Sequence, residues 1–228
     1  MQYNQYVLNM DETYDILKDK ISPAFVLDIY NTINGKAVFN SVIDIGAYNG
    51  KDGEQLAKLF NIPIENTLFI EAHPDMAKIL RAKYSNVIEC AVSDSEGMAE
   101  FNAVDLTIKQ NHGVSSLRDR DDTRIYKKVS VVKHRMDTLL TKIPIKPPYL
   151  VKIDTEGCTY ETLLGFGDRI KDVCALHIEC EHKQIWKGQK TYDEVAFFLK
   201  EKGFIEISFK RTENQSDSIW VYPQEKLA

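Results

Sequence analysis

The sequence contains no run of about 18–20 apolar residues, the length a helix needs to cross a bilayer. Met1 to Tyr14 carries polar and acidic residues and no apolar segment of the kind that directs secretion. The expectation is a cytoplasmic chain with no membrane partner. Cysteine is scarce: Cys90, Cys158, Cys174 and Cys180, with no C-x-x-C pair among them. That spacing excludes a zinc ribbon and a disulfide framework, and buried thiols in a reducing compartment are expected instead. Long basic runs are missing, Lys127-Lys128 and Lys210-Arg211 being the ones present, and the net charge is −5. A nucleic-acid partner requires a basic face to meet phosphates, so none is expected. Internal repeats, low-complexity tracts and long linkers are absent as well.

What remains is a globular pattern. Hydrophobic residues make up 43% of 228, enough for one α/β domain with a real core. Strand-like and helix-like segments alternate, which predicts a parallel sheet covered on both faces. Residues 1–36 read as N-terminal helical decoration. Residues 37–95 read as a cofactor-binding half, with strands at 41–45, 67–71 and 86–92 and helices at 51–60 and 74–84. Residues 98–140 read as a small β/loop insertion, with strands at 98–104 and 128–134 flanking a polar loop that acts as a lid or is disordered. Residues 148–228 supply strands at 149–154 and 173–180, helices at 159–165 and 192–202, and a closing antiparallel hairpin at 204–209 and 218–222. The expected fold is a doubly wound, Rossmann-like seven-stranded sheet: five parallel strands plus that hairpin, in a single domain.

The first strand-to-helix turn carries the chemistry. Asp44-Ile45-Gly46-Ala47-Tyr48-Asn49-Gly50 places two glycines around a turn at the carboxyl edge of the sheet, where nucleotide-like cofactors bind. Dinucleotide enzymes use G-x-G-x-x-G. Here the middle glycine is missing, and Asp44 would repel a pyrophosphate while suiting the ammonium of a methionine moiety. That contact can be made directly or through water. The turn thus favours S-adenosylmethionine, with S-adenosylhomocysteine as product, over NAD. Glu71 ends the second strand about 25 residues after Gly46, where an acid receives two ribose hydroxyls. Ala72 and His73 follow it, and Ala91 and Val92 at the third strand edge suit a flat adenine.

Lys152-Ile153-Asp154-Thr155-Glu156-Gly157-Cys158-Thr159-Tyr160-Glu161 resembles the K-I-D-x-E-G-x-E signature of FkbM methyltransferases. Similar blocks stand at 42–50, 69–74, 86–94, 113–117, 136–140 and 150–165, so the resemblance covers most of the chain. It departs at Ala72-His73, where the family often has proline, and at Thr159, where the family acid usually falls. The resemblance implies O-methylation, with a small-molecule hydroxyl acceptor, typically a sugar or polyketide-like compound, and here a carbohydrate as the expected partner.

Methylating an alcohol calls for a base or a metal ion at the acceptor oxygen. Asp154 is the first candidate base, Lys152 its partner on the same side of the strand, and His182 and His112 are further candidates. Asp154, Glu179 and Glu181 at neighbouring strand ends could hold Mg²⁺. Trp186 and Tyr192 either stack on a sugar or pack in the core. Two other readings stand beside O-methyl transfer: a non-catalytic module that binds S-adenosylmethionine, and an NAD-dependent oxidoreductase. A homo-oligomer is compatible with the sequence.

Overall fold

The computed structural model describes Ile33 and residues 38–223. The expected N-terminal helices at 1–36 lie, apart from Ile33, outside the described residues.

Among the described residues, ten strands and five α-helices follow in chain order. They are β1 (Ser41–Ile45), α1 (Lys51–Leu59), β2 (Thr67–Glu71), α2 (Pro74–Arg81), β3 (Val87–Glu89), β4 (Ala91–Val92), β5 (Gly97–Val104), β6 (Tyr126–His134), α3 (Met136–Leu139), β7 (Tyr149–Ile153), α4 (Thr159–Gly165), β8 (Val173–Glu181), α5 (Tyr192–Glu201), β9 (Ile205–Arg211) and β10 (Gln215–Val221). The main sheet has seven strands in the order β3-β2-β1-β7-β8-β10-β9. Pairing is parallel from β3 to β8, and β10 runs antiparallel to both β8 and β9. The chain reverses between β2 and β7 around β1, so β1 and β7 lie side by side with their carboxyl ends together. This is the switch point at which an open α/β sheet binds its ligand.

Continuous apolar runs make these central strands because both faces are covered. β1, β2 and β7 are buried at every position. Val42 and Leu150 pack with Leu56 and Leu59 of α1 on one face. Ile43, Ile45, Val151 and Ile153 pack with Leu163 of α4 and Leu199 of α5 on the other. α5 starts at a reciprocal cap, in which Thr191 and Glu194 each satisfy the other's backbone N–H.

One expected strand is divided. Residues 86–92 do not run as a single strand: β3 stays in the main sheet, while β4 leaves it after Cys90 and pairs with β6. β4, β6 and β5 form a separate three-stranded sheet. The bend carries the insertion over the carboxyl edge of the main sheet. The loop between β5 and β6 is held at its base. Gln110 closes its neck by donating to the carbonyls of Asp105 and Ile125, both at 3.1 Å, and accepting from the Ile125 N–H. No helix among the described residues is long and apolar enough to cross a membrane.

Candidate functional site

The β1–α1 turn, the end of β2, the start of β4 and the β7–α4 turn converge on one cavity, which the insertion covers with Phe101, His112 and Ser115 to Leu117. Gly46, Ala47, Tyr48 and Asn49 form its floor. Gly46 has φ +76°, and a Cβ there would stand 1.9 Å from the Asp154 carbonyl oxygen. Only glycine lets β1 and β7 come this close as they leave the sheet. Gly50 takes no part in the lining; it packs beneath Tyr84 and Leu80.

Glu71 sits at the cavity wall. Its Oε2 accepts from the Tyr48 N–H and its Oε1 from the His73 N–H, both at 2.7 Å. A carboxylate has about four lone-pair sites, so each oxygen keeps one for a ligand. Burial pushes its carboxyl above the ordinary value, against the pull of the two N–H bonds. His73 lines the cavity and also holds it together. Its Nδ1 accepts from the Asp75 N–H at 3.2 Å, so Nε2 carries the proton and donates to the Val104 carbonyl at 3.0 Å. The imidazole caps α2 and ties it to the insertion. Beyond Glu71 the lining turns apolar: Ala72, Met76, Ala91, Val92, Phe101 and Leu117.

Asp44 lies behind the cavity rather than in its wall. It is fully buried and does not line the cavity. Its Oδ2 accepts from the Gly53 N–H at 3.0 Å, and its Oδ1 lies 3.6 Å from Lys152 Nζ. Its side chain therefore does not face the cavity directly. Burial raises its carboxyl to about 6, although Lys152 pulls the other way. Lys152 is the centre of this group. Its Nζ is also 3.3 Å from Asp52 Oδ2 and 3.3 Å from Asp154 Oδ2. Burial works against the lysine cation, but the three carboxylates dominate and hold it well above the ordinary value. Asp52, in the first turn of α1, lines the cavity and had not been singled out. Its available signal was an acid two residues past the second glycine of the turn.

The acidic cluster also differs from expectation. Asp154, Glu156 and Glu179 bring carboxylate oxygens within 4.8 Å of one another. Glu181 is absent from that group, because Gln189 Nε2 holds its Oε2 at 2.9 Å. Burial, then Asp154, then Glu181 push Glu156 up to about 8. Burial, with Asp154 and Glu156 next, carries Glu179 well above the usual carboxylate range. Glu156 has φ +31°, a left-handed conformation that a non-glycine residue adopts at a cost.

Two histidines separate clearly. His112 lines the cavity and its Nε2 donates to the Ile108 carbonyl at 2.8 Å, so Nδ1 keeps a free lone pair. His182 lies away from the cavity, its ring packed with Tyr192 and Phe209. Its position just past β8 carries it to the hairpin side. Trp186 is buried in the core: a Cβ on Gly157 would stand 2.6 Å from its ring. Tyr192 bonds Glu206. Neither lines the cavity.

The insertion is fastened by Ser116 and Arg118. Ser116 Oγ donates to the Glu156 carbonyl at 2.6 Å. Arg118 donates to the carbonyls of Gly157 at 2.9 Å and Lys187 at 3.0 Å, and pairs with Glu161 at 2.7 Å. Glu161, displaced from the expected spacing of the motif, thus anchors the cover rather than facing the cavity.

A model of the methyltransferase FkbM domain matches residues 44–206. Among solved structures, methyltransferase FkbM from Methylobacillus flagellatus KT aligns with a TM-score of 0.53 at 13% identity, over 94% of this chain and 59% of that one. This chain thus spans under two thirds of that protein, and at such identity the likeness is one of fold. A SAM-dependent methyltransferase from Aquifex aeolicus aligns at TM-score 0.41 and 14% identity, over 91% of this chain and 97% of its own. Magnesium protoporphyrin IX methyltransferase from Synechocystis PCC 6803, solved with bound SAM, aligns at 0.44 and 10%, over 97% and 93%. No curated protein matches the chain.

Proposed function

Because the chain belongs to the methyltransferase FkbM family, we propose that it transfers a methyl group from S-adenosylmethionine to a hydroxyl of a small molecule, with a carbohydrate as the favoured acceptor class. The observation that carries the donor is Glu71. Two buried oxygens, each with one backbone N–H already in place, leave a matched pair of acceptor sites for vicinal hydroxyls. The apolar slot beside it, from Ala72 to Phe101 and Leu117, suits a flat base. The turn Gly46 to Asn49, with Asp52 and Asp154 nearby, would receive the amino-acid end. When bound, the cofactor supplies an electrophilic methyl on a sulfonium.

This chain's residues must then hold the acceptor oxygen in line and take its proton. Asp154 does the second. It lines the cavity, its side chain is one-third exposed, and Lys152 fixes its orientation. His112 Nδ1, open in the covering loop, is the second candidate acceptor of that proton. The carboxylate oxygens of Asp154, Glu156 and Glu179 would suit a hard cation such as Mg²⁺. However, Lys152 already stands against Asp154, and a dication must compete with that charge. We therefore assign the proton to a protein base.

The test is methyl transfer from labelled S-adenosylmethionine to a panel of sugars and glycoconjugates. Label should appear in a hydroxylated acceptor with wild type and be lost with Asp154→Asn, while His112→Gln retains turnover. Full activity of Asp154→Asn would remove it as the base. Label in no acceptor, despite cofactor binding, would favour a non-catalytic binding module.

A further inference from the structure

A second groove adjoins the segment that walls the cavity. Ser115, Ser116 and Leu117 line the cavity, whereas Arg118, Asp119 and Arg120 line the groove together with Arg124, Lys128 and Lys187. Its volume is about 400 Å³, within the range of small-molecule sites. The chain carries a net charge of −5, yet three of its seven arginines fall between residues 118 and 124 and turn to this one groove.

Cations outnumber carboxylates there, although Asp119 offsets one of them. Arg118 is committed to the fold through Gly157, Lys187 and Glu161. Arg120 and Arg124 share a single carboxylate: both reach Asp122 Oδ2, Arg120 at 3.1 Å. Two guanidinium charges on one carboxylate leave a positive charge over. The Arg120 guanidinium lies over the Trp186 ring, 5.2 Å from its centre, which holds it in place. Lys128 pairs only with an exposed Glu100, a contact of small worth. Lys187 is exposed and makes no ion pair among the described residues.

We propose that this groove binds the phosphate group of a small molecule, held by Arg120, Arg124 and Lys187. Arg120, Arg124 and Lys187 set against Asp122 and Asp119 leave one cation uncompensated, which calls for an anion, and the guanidinium fork matches phosphate oxygens. The site lies outside the cofactor cavity and stands whether or not the methyl-transfer reading does.

The experiment is calorimetric titration of inorganic pyrophosphate into the full chain at low ionic strength. Wild type is compared with Arg124→Gln and Lys187→Glu. Glucose 6-phosphate and glucose serve as a charged and uncharged pair. Pyrophosphate affinity should fall by about tenfold or more in each variant and weaken with added salt. S-adenosylhomocysteine binding should be unchanged. Glucose 6-phosphate should bind and glucose should not; a sugar phosphate tighter than pyrophosphate assigns the site to a phosphorylated metabolite, and the reverse assigns it to the free anion. Because Lys187 is exposed, its variant retains the fold and reports binding alone. Equal pyrophosphate affinity in wild type and Lys187→Glu, or no binding by wild type, overturns the proposal. A failure of S-adenosylhomocysteine to bind would count against methyl transfer and leave this site untouched.

Discussion

Lys152 Nζ, on β7, lies 3.3 Å from Oδ2 of Asp154, one residue past the end of that strand and on the same side of it. The strand's alternation thus builds a cation–carboxylate pair at the carboxyl edge of the sheet. One member is buried and the other opens to the cavity. The same cation reaches Asp44 behind it and Asp52 beside it, so one lysine joins the cofactor turn to the candidate base.

Removing that charge should be costly. Lys152→Met leaves Asp44 buried without a counter-charge, a change worth roughly 3–5 kcal/mol. Urea unfolding at pH 7 should show a loss of that size, partly recovered toward pH 5 as Asp44 takes up a proton. A loss under about 1 kcal/mol would reject the lysine as the hub.

Asp44 predicts a pH dependence of stability. Its folded value is about 6 against an ordinary 3.8, so the folded state holds the proton more tightly. The associated stability is fully present below pH 4 and is lost as pH rises through 6. It amounts to roughly 3 kcal/mol for this one group. Asp44→Asn, which cannot ionise, should lack this fall, so its stability should rise relative to wild type between pH 4 and 7. Parallel unfolding curves across that range would contradict the burial argument.

Arg118 should control the cover. Arg118→Ala removes three hydrogen bonds, one of them the pair with Glu161, at the point where the insertion meets the β7–α4 turn. Bonds from a charged donor are worth about 1.5–3 kcal/mol each when lost in a partly buried site. Hydrogen exchange should quicken across residues 105–125, and the acceptor KM should rise more than the cofactor Kd. Unchanged exchange in that loop would show that the cover is held by other contacts.

The acidic cluster makes a prediction by chelation. With a protein base and Lys152 already beside Asp154, turnover should persist in excess EDTA and gain nothing from Mg²⁺. A loss that Mg²⁺ restores would make Asp154, Glu156 and Glu179 ligands of a cation instead.

Much of the frame was legible because local signals and tertiary structure agree. The buried runs at 41–45, 67–71 and 149–153 could only be covered parallel strands, and their turns carried glycine where backbones meet. Glu71 was legible because a strand end fixes where a side chain emerges. Asp44 was found by its motif, but its place behind the cavity was not legible. Its motif position is diagnostic, but alternation does not say that Lys152 stands between it and the cavity. The break at Cys90 was hidden, since Val87 to Val92 is uniformly strand-like and the partner that draws β4 away lies some forty residues on, at Lys133 and His134. His182 and Glu181 were chosen by closeness to a strand end, whereas Gln189 and the Tyr192–Phe209 pair decide where they go. Arg118 sat in a charge cluster that reads as solvated surface until its partners at 157, 161 and 187 are known.

The central claim is that Glu71 receives the ribose of S-adenosylmethionine. The most direct measurement is calorimetric titration of S-adenosylhomocysteine into wild type and Glu71→Gln, with NADH as the competing ligand. The account predicts saturable binding to wild type, a loss of about 2 kcal/mol or more in Glu71→Gln as charged acceptors are replaced, and no NADH binding. Absence of S-adenosylhomocysteine binding by folded wild type, or equal affinity in Glu71→Gln, would contradict it.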